Sequence, residues 1–494
     1  MPTTQNNAGV GNLLGVFKDA WKDGVVNTYA GDVPLLASTR FEPAAEVGGT
    51  YHVPTRLSLA GGFTFAPSSS SSGEVLPGAG GRTFVGPNAS VILDAQVLGY
   101  QFFGRGRVTY EALARSAANL DTTSKDGKKA AENALRSELD GMSLGGLKKL
   151  EALMLHGQRG LGQVEFLSDV VATSYQGTSG FAIDLGITAG TWIEALFLAS
   201  ERHGFSLFAN SAGVPTGAAL NTATNSIWDG QSQTGLALIA VMPSATLANY
   251  TGTANDGTRV IRLWSSSGTG GGAGVGIIGG IAYNSISGQS VHVGFESAGS
   301  AASGFNEFAG FGVMASNTGT LFNINAATYS MWRGNLNSTG GVVKLPEIIR
   351  AAARSINAGA KGKRMRAVVP TELFAQLGND EAALRRYSGR EATGVGGMQN
   401  IECYLPLGGV LEVMGHPLQK AGEVLIYPPE GTMRVGSMDV DFVAGEGRTG
   451  VTRNAEKLML EVADLPAREV RTYANFAAYA ECPKHMTLMT GVTY

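Results

Sequence analysis

Cysteine is nearly missing from this 494-residue chain. Cys403 and Cys482 lie far apart and in no C-x-x-C spacing, which excludes a disulfide framework and a cysteine zinc site. A reducing compartment is the simpler expectation. Long apolar runs are missing too. No stretch reaches the roughly 18 apolar residues of a spanning helix. Ala273–Ile281 is apolar but short and broken by glycine, so no membrane span is predicted. The opening MPTTQNNAGVGNLLG lacks the charged start and apolar run of a secretory signal. Charge of one sign is also lacking. Lys and Arg number 37 against 40 Asp and Glu, for a net charge of -3. That leaves no basic domain for tight nucleic-acid binding, only weak non-specific contact. The six histidines, His52, His156, His203, His292, His416 and His485, form no H-x-H or H-x-x-x-H pair. No metal or cofactor site is therefore expected, and His156 reads as a helix-end or core residue.

What the chain does have is glycine, 70 residues, about twice ordinary usage. With 44% hydrophobic residues, it reads as a globular protein with many turns and close backbone approaches. Residues 1–49 read as an extended arm with Phe17, Trp21 and Tyr29 as anchors. Asp32-Val33-Pro34 and Glu42-Pro43 are expected to break any helix there. The segment 50–108 predicts a long two-armed hairpin. Its returning arm sets Ala89, Val91, Leu93, Ala95 and Val97 on one face by strict alternation, and its tip is the Pro67–Gly81 run PSSSSSGEVLPGAGG. An isolated hairpin is marginal in water, so this one needs a neighbour.

Leu135, Leu139, Met142, Leu147, Leu150 and Met154 recur at three- and four-residue steps and predict one long helix over Lys125–His156. Ser124 is suited to cap it and Gly157 to end it. Gly141, Gly145 and Gly146 inside it suggest a bend or a close backbone approach. Residues 164–328 read as β-rich, with LALIAVM, RVIRLW and SVHVGF as strands. Residues 334–443 alternate helices and strands, and 457–494 return as strands. The class is α+β.

Two motifs match enzymes in the wrong context. Gly141-Met-Ser143-Leu-Gly145 fits the G-x-S-x-G nucleophile elbow, which needs a strand before a strained turn; RSELD before it is helical in pattern. Gly274–Gly279 fits G-x-G-x-x-G, which must open a helix to bind a pyrophosphate, yet GIAYNSISGQSVHVGF follows and reads as a glycine-rich hairpin. The basic cluster Lys361-Gly-Lys363-Arg364-Met-Arg366 has no interleaved aromatic and reads as a solvated loop before a strand. Asp439 and Asp441 share a strand face with no oxygen ligands beside them.

The order of these segments resembles the tailed-bacteriophage major capsid proteins of the Hong Kong 97-type shell fold. LEALMLHGQRGLG is similar to that family's spine-helix ending, and TYSMWRGN to its Tyr-x-x-Trp-x-Gly-Asn segment. VVPTELFAQL resembles its strand-proline-helix step, EVMGHPLQKAGEVLIYPPEGTMRVGS its later axial strands, and AAYAECPKHMTLMTGV its final strand. The resemblance implies a phage capsid shell fold. Residues 1–49 would be the N-terminal arm, 50–108 the extended loop and 109–163 the spine helix and peripheral domain. Residues 164–333 would be peripheral strands with a β-rich insertion, 334–443 the axial domain and 444–494 the return to the peripheral domain.

By the same resemblance the chain is no enzyme and holds no cofactor. Its partners are copies of itself in hexamers and pentamers, with portal, scaffolding and decoration proteins and the packaged DNA. Its place is the virion capsid, assembled in the bacterial host cytoplasm. Trp21, Tyr29, Val91, Leu93 and Val97 are expected at inter-subunit contacts, and Gly141, Gly145 and Gly146 are expected to let the spine helix bend. Residues 50–108 contain no lysine, which excludes the family's loop-lysine crosslink. The arm starts close to Met1, so a separate scaffold or none is expected. An encapsulin-like nanocompartment shell and a secreted β-rich fibre or adhesin are the alternatives.

Overall fold

A computed structural model describes residues 33–46, 49–61, 63, 88–110, 125–166, 170–175, 177–188, 190–200, 203–211, 214–219, 236–243, 259–269, 277–278, 281–282, 291–295, 307–360, 364–379, 401–405, 409–442, 460–461 and 467–494. In chain order these hold helix α1 (Pro34–Ser38), strands β1 (Arg40–Pro43), β2 (Thr50–Arg56), β3 (Ile92–Leu98) and β4 (Tyr100–Thr109), and helix α2 (Lys125–His156). Then come β5 (Gly162–Phe166), β6 (Thr178–Ile187), α3 (Glu194–Ala199), β7 (Gly204–Ser211), β8 (Leu236–Pro243), β9 (Arg259–Ser265) and β10 (Val291–Phe295). The last part holds α4 (Phe311–Ala315), β11 (Asn335–Val342), α5 (Leu345–Asn357), β12 (Arg364–Val369), α6 (Thr371–Asn379), β13 (Ile401–Tyr404), β14 (Val410–Gly415) and β15 (Glu423–Tyr427). It ends with β16 (Thr432–Phe442), β17 (Ala467–Ala480) and β18 (Thr487–Thr493). The class is α+β, as the sequence predicts.

The arm departs from expectation. Pro34 does not break a helix; it begins α1 at the first position, where its missing N–H costs nothing and its fixed φ suits the helix. Leu35 and Leu36 are buried in the main hydrophobic cluster, each contributing about 1.5–3 kcal/mol. Trp21 and Tyr29 lie outside the described residues.

Helix α2 has the predicted bounds. Leu150, Leu153, Met154 and Leu155 bury its last turns. The chain then reverses through Gln158 (φ 60°) and Gly160 (φ 76°). Gln158 tolerates the left-handed conformation because Glu307 holds it: Gln158 N–H donates to Glu307 Oε1 (2.8 Å) and Gln158 Nε2 to the Glu307 carbonyl (2.7 Å).

The β-rich middle forms a closed antiparallel barrel in the order β5-β6-β9-β8-β7-β10 and back to β5. Alternate residues such as Ile183, Leu185, Ile187, Phe205, Leu207, Ile261 and Leu263 fill it. Closure pairs the strand edges that an open sheet would expose.

The long sheet runs β1-β16-β17-β4. Its centre is the 14-residue β17, which pairs with β4 over Ala467–Phe476 and with β16 over Thr472–Ala480. A six-stranded mixed sheet, β11-β18-β15-β12-β14-β13, carries α5 and α6 over a second core. In α5, Leu345, Ile348, Ala351, Ala352 and Ser355 face that core at the spacing of one helix face. The two sheets do not follow the sequence division at 443. Strand β16 belongs to the long sheet, and β18 crosses back into the six-stranded one.

The TYSMWRGN landmark leads into β11. Trp332 is fully buried and its Nε1 donates to the Leu321 carbonyl (2.8 Å). A Cβ on Gly334 would meet the Ala315 carbonyl at 2.2 Å. Asn335 Nδ2 donates to the carbonyls of Lys484 (2.6 Å) and Met486 (3.1 Å). Aromatic bulk, a missing side chain and a short amide are each required at their positions.

Candidate assembly surface

Strands β2 and β3 pair only with each other among the described residues. One face of this hairpin is inward: Tyr51, Ala95 and Val97 are fully buried in the chain's own core, and Val53 and Leu93 pack against it. Thr55 Oγ1 hydrogen-bonds with the hydroxyl of Tyr479 on β17 (2.7 Å). This corrects one expectation. Val97 is on the predicted face, but that face is occupied by the chain itself, so Val97 is unavailable to a neighbour; Leu93 is half-covered in the same way. Val91 lies beyond them, half-buried, where its carbonyl accepts the Leu57 N–H (2.9 Å). The sequence showed the alternation; which face turned inward was not in it.

The opposite face carries the exposed apolar groups, Ile92 (52% exposed) and Leu98 (48%). Further out the hairpin leaves the core. Gly61 N–H still donates to the Asn88 carbonyl (2.9 Å), yet Ser58, Leu59, Ala60, Gly61, Phe63, Asn88 and Ala89 are all exposed. Leu59 is 80% and Phe63 78% exposed. A paired ribbon with bare leucine and phenylalanine side chains is a surface that water disfavours.

On the same outer face Thr50 Oγ1 lies 3.2 Å from His52 Nε2, and His52 Nδ1 contacts Asp94 Oδ2. The order resembles that of a nucleophile, base and orienting acid, but His52 and Asp94 are solvent-exposed on a flat ribbon. Among the described residues none covers this trio to desolvate a reacting group. The two sequence motifs fare no better. Ser143 lies within α2 rather than at a strand-to-helix turn. Ile277–Ile278 pairs with Ile281–Ala282 as a small hairpin and opens no helix. From the basic cluster, Arg366 is engaged within the chain, donating to Glu412 Oε2 (3.1 Å) and Ser38 Oγ (2.7 Å). Asp439 pairs with Arg434. Among the described residues no group of three or more His, Cys, Asp or Glu is placed to hold a metal, and no helix is long and apolar enough to cross a membrane.

The three helix glycines differ. A Cβ on Gly141 would meet nothing within 4 Å, one on Gly145 only His203 at 4.0 Å, and one on Gly146 the Phe102 ring at 3.3 Å. Gly146 therefore lets α2 approach β4, and the other two are not required by packing.

A polar joint ties α2, the barrel and the six-stranded sheet. Glu151 accepts the N–H groups of Leu35 and Leu36 (2.6 Å each) and a bond from His416 Nε2 (2.9 Å). Arg159 Nη1 pairs with Glu423 Oε2 (2.6 Å). Beside them Lys420 is buried, and burial, aided by Arg159, pushes its ammonium down to about 8 against the pull of Glu423. His292 is pushed down to about 4 by burial and by Lys420 and Arg159. His156 is driven well below its ordinary value by burial first and by the same cations next; its Nε2 donates to the Leu418 carbonyl (3.0 Å). Gly422 completes the joint. Its N–H donates to the Gly190 carbonyl (2.7 Å), and a Cβ there would lie 2.7 Å from the Gly190 Cα, so only glycine allows the barrel loop this close.

The outer face of β4 and β17, opposite α2, carries Phe103 paired with Tyr473, Arg105 with Arg471, and Arg107 with Glu469. Helix α2 covers the alternate residues, with Gly104 near Met142 and Phe102 near Gly146. Glu469 is buried beneath the arginines. Arg105 Nε and Nη2 donate to its two oxygens (3.0 and 2.8 Å), Arg107 Nε to Oε2 (2.5 Å), and Arg471 Nε to Oε1. Burial pushes this carboxyl up, but the three guanidinium bonds outweigh it and hold it at about 2.

No protein-family model matches the chain, and the comparison with curated proteins finds no match. Solved structures do match. A chain of the cyanophage A-1(L) capsid asymmetric unit is similar at 10% identity and TM-score 0.44, over 97% of each chain. A chain of Mycobacterium phage Adephagia is similar at 10% identity and TM-score 0.38, over 97% of this chain and 96% of its own. One from the capsid of a native GTA particle is similar at 7% identity and TM-score 0.38, over 96% and 95%.

Proposed function

We propose that this chain is a shell-forming structural protein, the major capsid protein of a tailed bacteriophage, which assembles as hexamers and pentamers into an icosahedral head around double-stranded DNA. The observation that carries the reading is the outer hairpin. It continues as a hydrogen-bonded ribbon past the core, from Leu57 to Gly61 against Asn88 and Val91, while Leu59 and Phe63 stay bare. Such a ribbon gains stability only by lying on a neighbour. The order of arm, hairpin, long helix and sheets along the sequence supports the same reading.

In this reading the work is done by buried surface rather than by chemistry. Ile92 and Leu98 on the outer hairpin face, with Leu59 and Phe63 on the ribbon beyond the core, replace Val97 as the inter-subunit contact; Trp21, Tyr29 and Val91 remain proposed contacts. Gly141 and Gly145 supply helix flexibility. Portal, scaffolding and decoration proteins and loose contact with packaged DNA complete the set of partners. The particle is the virion head, built in the bacterial host cytoplasm.

The test is expression of the chain alone and with its neighbouring genes, read by size-exclusion chromatography and negative-stain electron microscopy. Shells, rings or capsomer-sized hexamers are expected. A folded monomer under both conditions would overturn the proposal.

A further inference from the structure

The sheet face formed by β4 and β17 gathers arginine and aromatic side chains that stay partly exposed. Among the described contacts, three guanidiniums surround one carboxylate in the cluster of Arg105, Arg107, Arg471 and Glu469, and Asp441, opposite Tyr473 on β16, adds a carboxylate at the edge of this face. Arg105 and Arg471 sit directly opposite each other on neighbouring strands, an arrangement of like charges that is unfavourable unless something negative bridges it. Glu469 does so from below. Above, both arginines remain about half exposed, at 53% and 46%. One pair further along the strands is Phe103, 61% exposed, its ring centroid 5.0 Å from that of Tyr473.

We infer that this face is an interface for a second copy of the chain, which sets a carboxylate-bearing segment against Arg105 and Arg471 and an apolar side chain against Phe103 and Tyr473. The inference rests on the proposed self-assembly and names a second contact surface, apart from the hairpin. Two arguments favour a protein partner. Arginine with tyrosine and phenylalanine, and no lysine, is the composition enriched in the buried centres of protein interfaces. The guanidinium fork also matches a carboxylate in two parallel bonds. Nucleic acid fits less well. Among the described residues the charge is a compact cluster with no extended basic stripe, and the chain as a whole is slightly acidic, at net -3.

The decisive experiment compares full-length wild type with Arg471→Glu and with Phe103→Ser, each checked for native circular dichroism and melting. Self-association is followed by analytical ultracentrifugation across protein concentration and from 0.1 to about 1 M salt. Binding to a 20-base-pair duplex is followed by fluorescence anisotropy. The expected result is at least a tenfold rise in the concentration needed for association in either folded variant. Salt should weaken the wild type and have less effect on Arg471→Glu. Phe103→Ser guards against a folding artefact, since it leaves the Glu469 cluster intact. Wild-type association with both variants associating equally well overturns this inference alone. Variants that associate normally but lose duplex binding also overturn it and assign the face to nucleic acid. A wild type that never associates overturns the proposed function and this interface with it.

Discussion

Glu151 and His416 are joined by a buried hydrogen bond of 2.9 Å between Oε1 and Nε2, and its direction is set by a third group. The Leu418 N–H donates to His416 Nδ1 (3.1 Å), so Nε2 carries the ring proton and gives it to the carboxylate. The same carboxylate accepts the N–H groups of Leu35 and Leu36. Val33 gives α1 no side-chain cap; a residue 116 positions along the chain from Leu35 does so instead. Arm, long helix and six-stranded sheet thus meet at one side chain.

Replacing Glu151 by alanine strands three buried donors. A loss of about 3 kcal/mol is expected, read by denaturant titration. Glu151→Gln keeps one acceptor and should lose less. Equal stability of Glu151→Ala and wild type would rule out the joint as an anchor of the arm.

Glu469 makes stability pH-dependent on the acid side. Its carboxyl is lowered from 4.5 to about 2 in the fold, so the unfolded chain binds the proton more tightly. The contribution is complete above about pH 4.5 and is lost as pH falls through about 2. Its size is on the order of 2 kcal/mol, reduced from the full shift because two of the arginines are half in water. Glu469→Gln should flatten this part of a stability-versus-pH curve.

Glu307 acts with the opposite sign. Burial beside Tyr100, Phe102 and Phe476 raises its carboxyl to about 7, against the Gln158 N–H and Lys149. The fold holds the proton more tightly, so stability falls as pH rises from about 4.5 to about 7. Glu307→Gln is expected to gain roughly 1–2 kcal/mol at pH 8 and little at pH 4, measured by thermal melting at the two values.

The helix glycines separate by their surroundings. Gly141→Ala meets open space and should stabilise by about 0.5–1 kcal/mol. Gly146→Ala pushes on the Phe102 ring and should gain nothing or lose. If the glycines serve flexibility during shell maturation, Gly141→Ala with Gly145→Ala should also slow expansion, followed by time-resolved scattering.

The hairpin faces separate folding from assembly. Val97→Ala should cost about 2 kcal/mol of monomer stability. Ile92→Ser and Leu98→Ser should stay within about 0.5 kcal/mol of wild type while cutting the yield of assembled particles. Normal assembly of the Ile92 and Leu98 variants would remove the outer hairpin face from the interface.

The sequence by itself determined the elements whose cause is local. The three- and four-residue steps of Leu147, Leu150 and Met154 mark α2 at its full length, because a helix face repeats along the chain. The alternation from Leu93 to Val97 marks β3 for the same reason. Only the tertiary structure decided matters set by distant partners. Alternation cannot say which hairpin face is inward until Tyr479 and the core lie against one of them. A proline before two leucines reads as a breaker until Glu151 caps the helix that it starts. Barrel closure depends on β8 meeting β7 through the short register of Leu236 and Ala237 against Phe205 and Gly204. The charge of the β4 and β17 face depends on Glu469 and Arg105, 364 residues apart, becoming neighbours. A pattern in sequence reports what a residue shares with its near neighbours; pairing across the fold is settled by which surfaces remain to be covered.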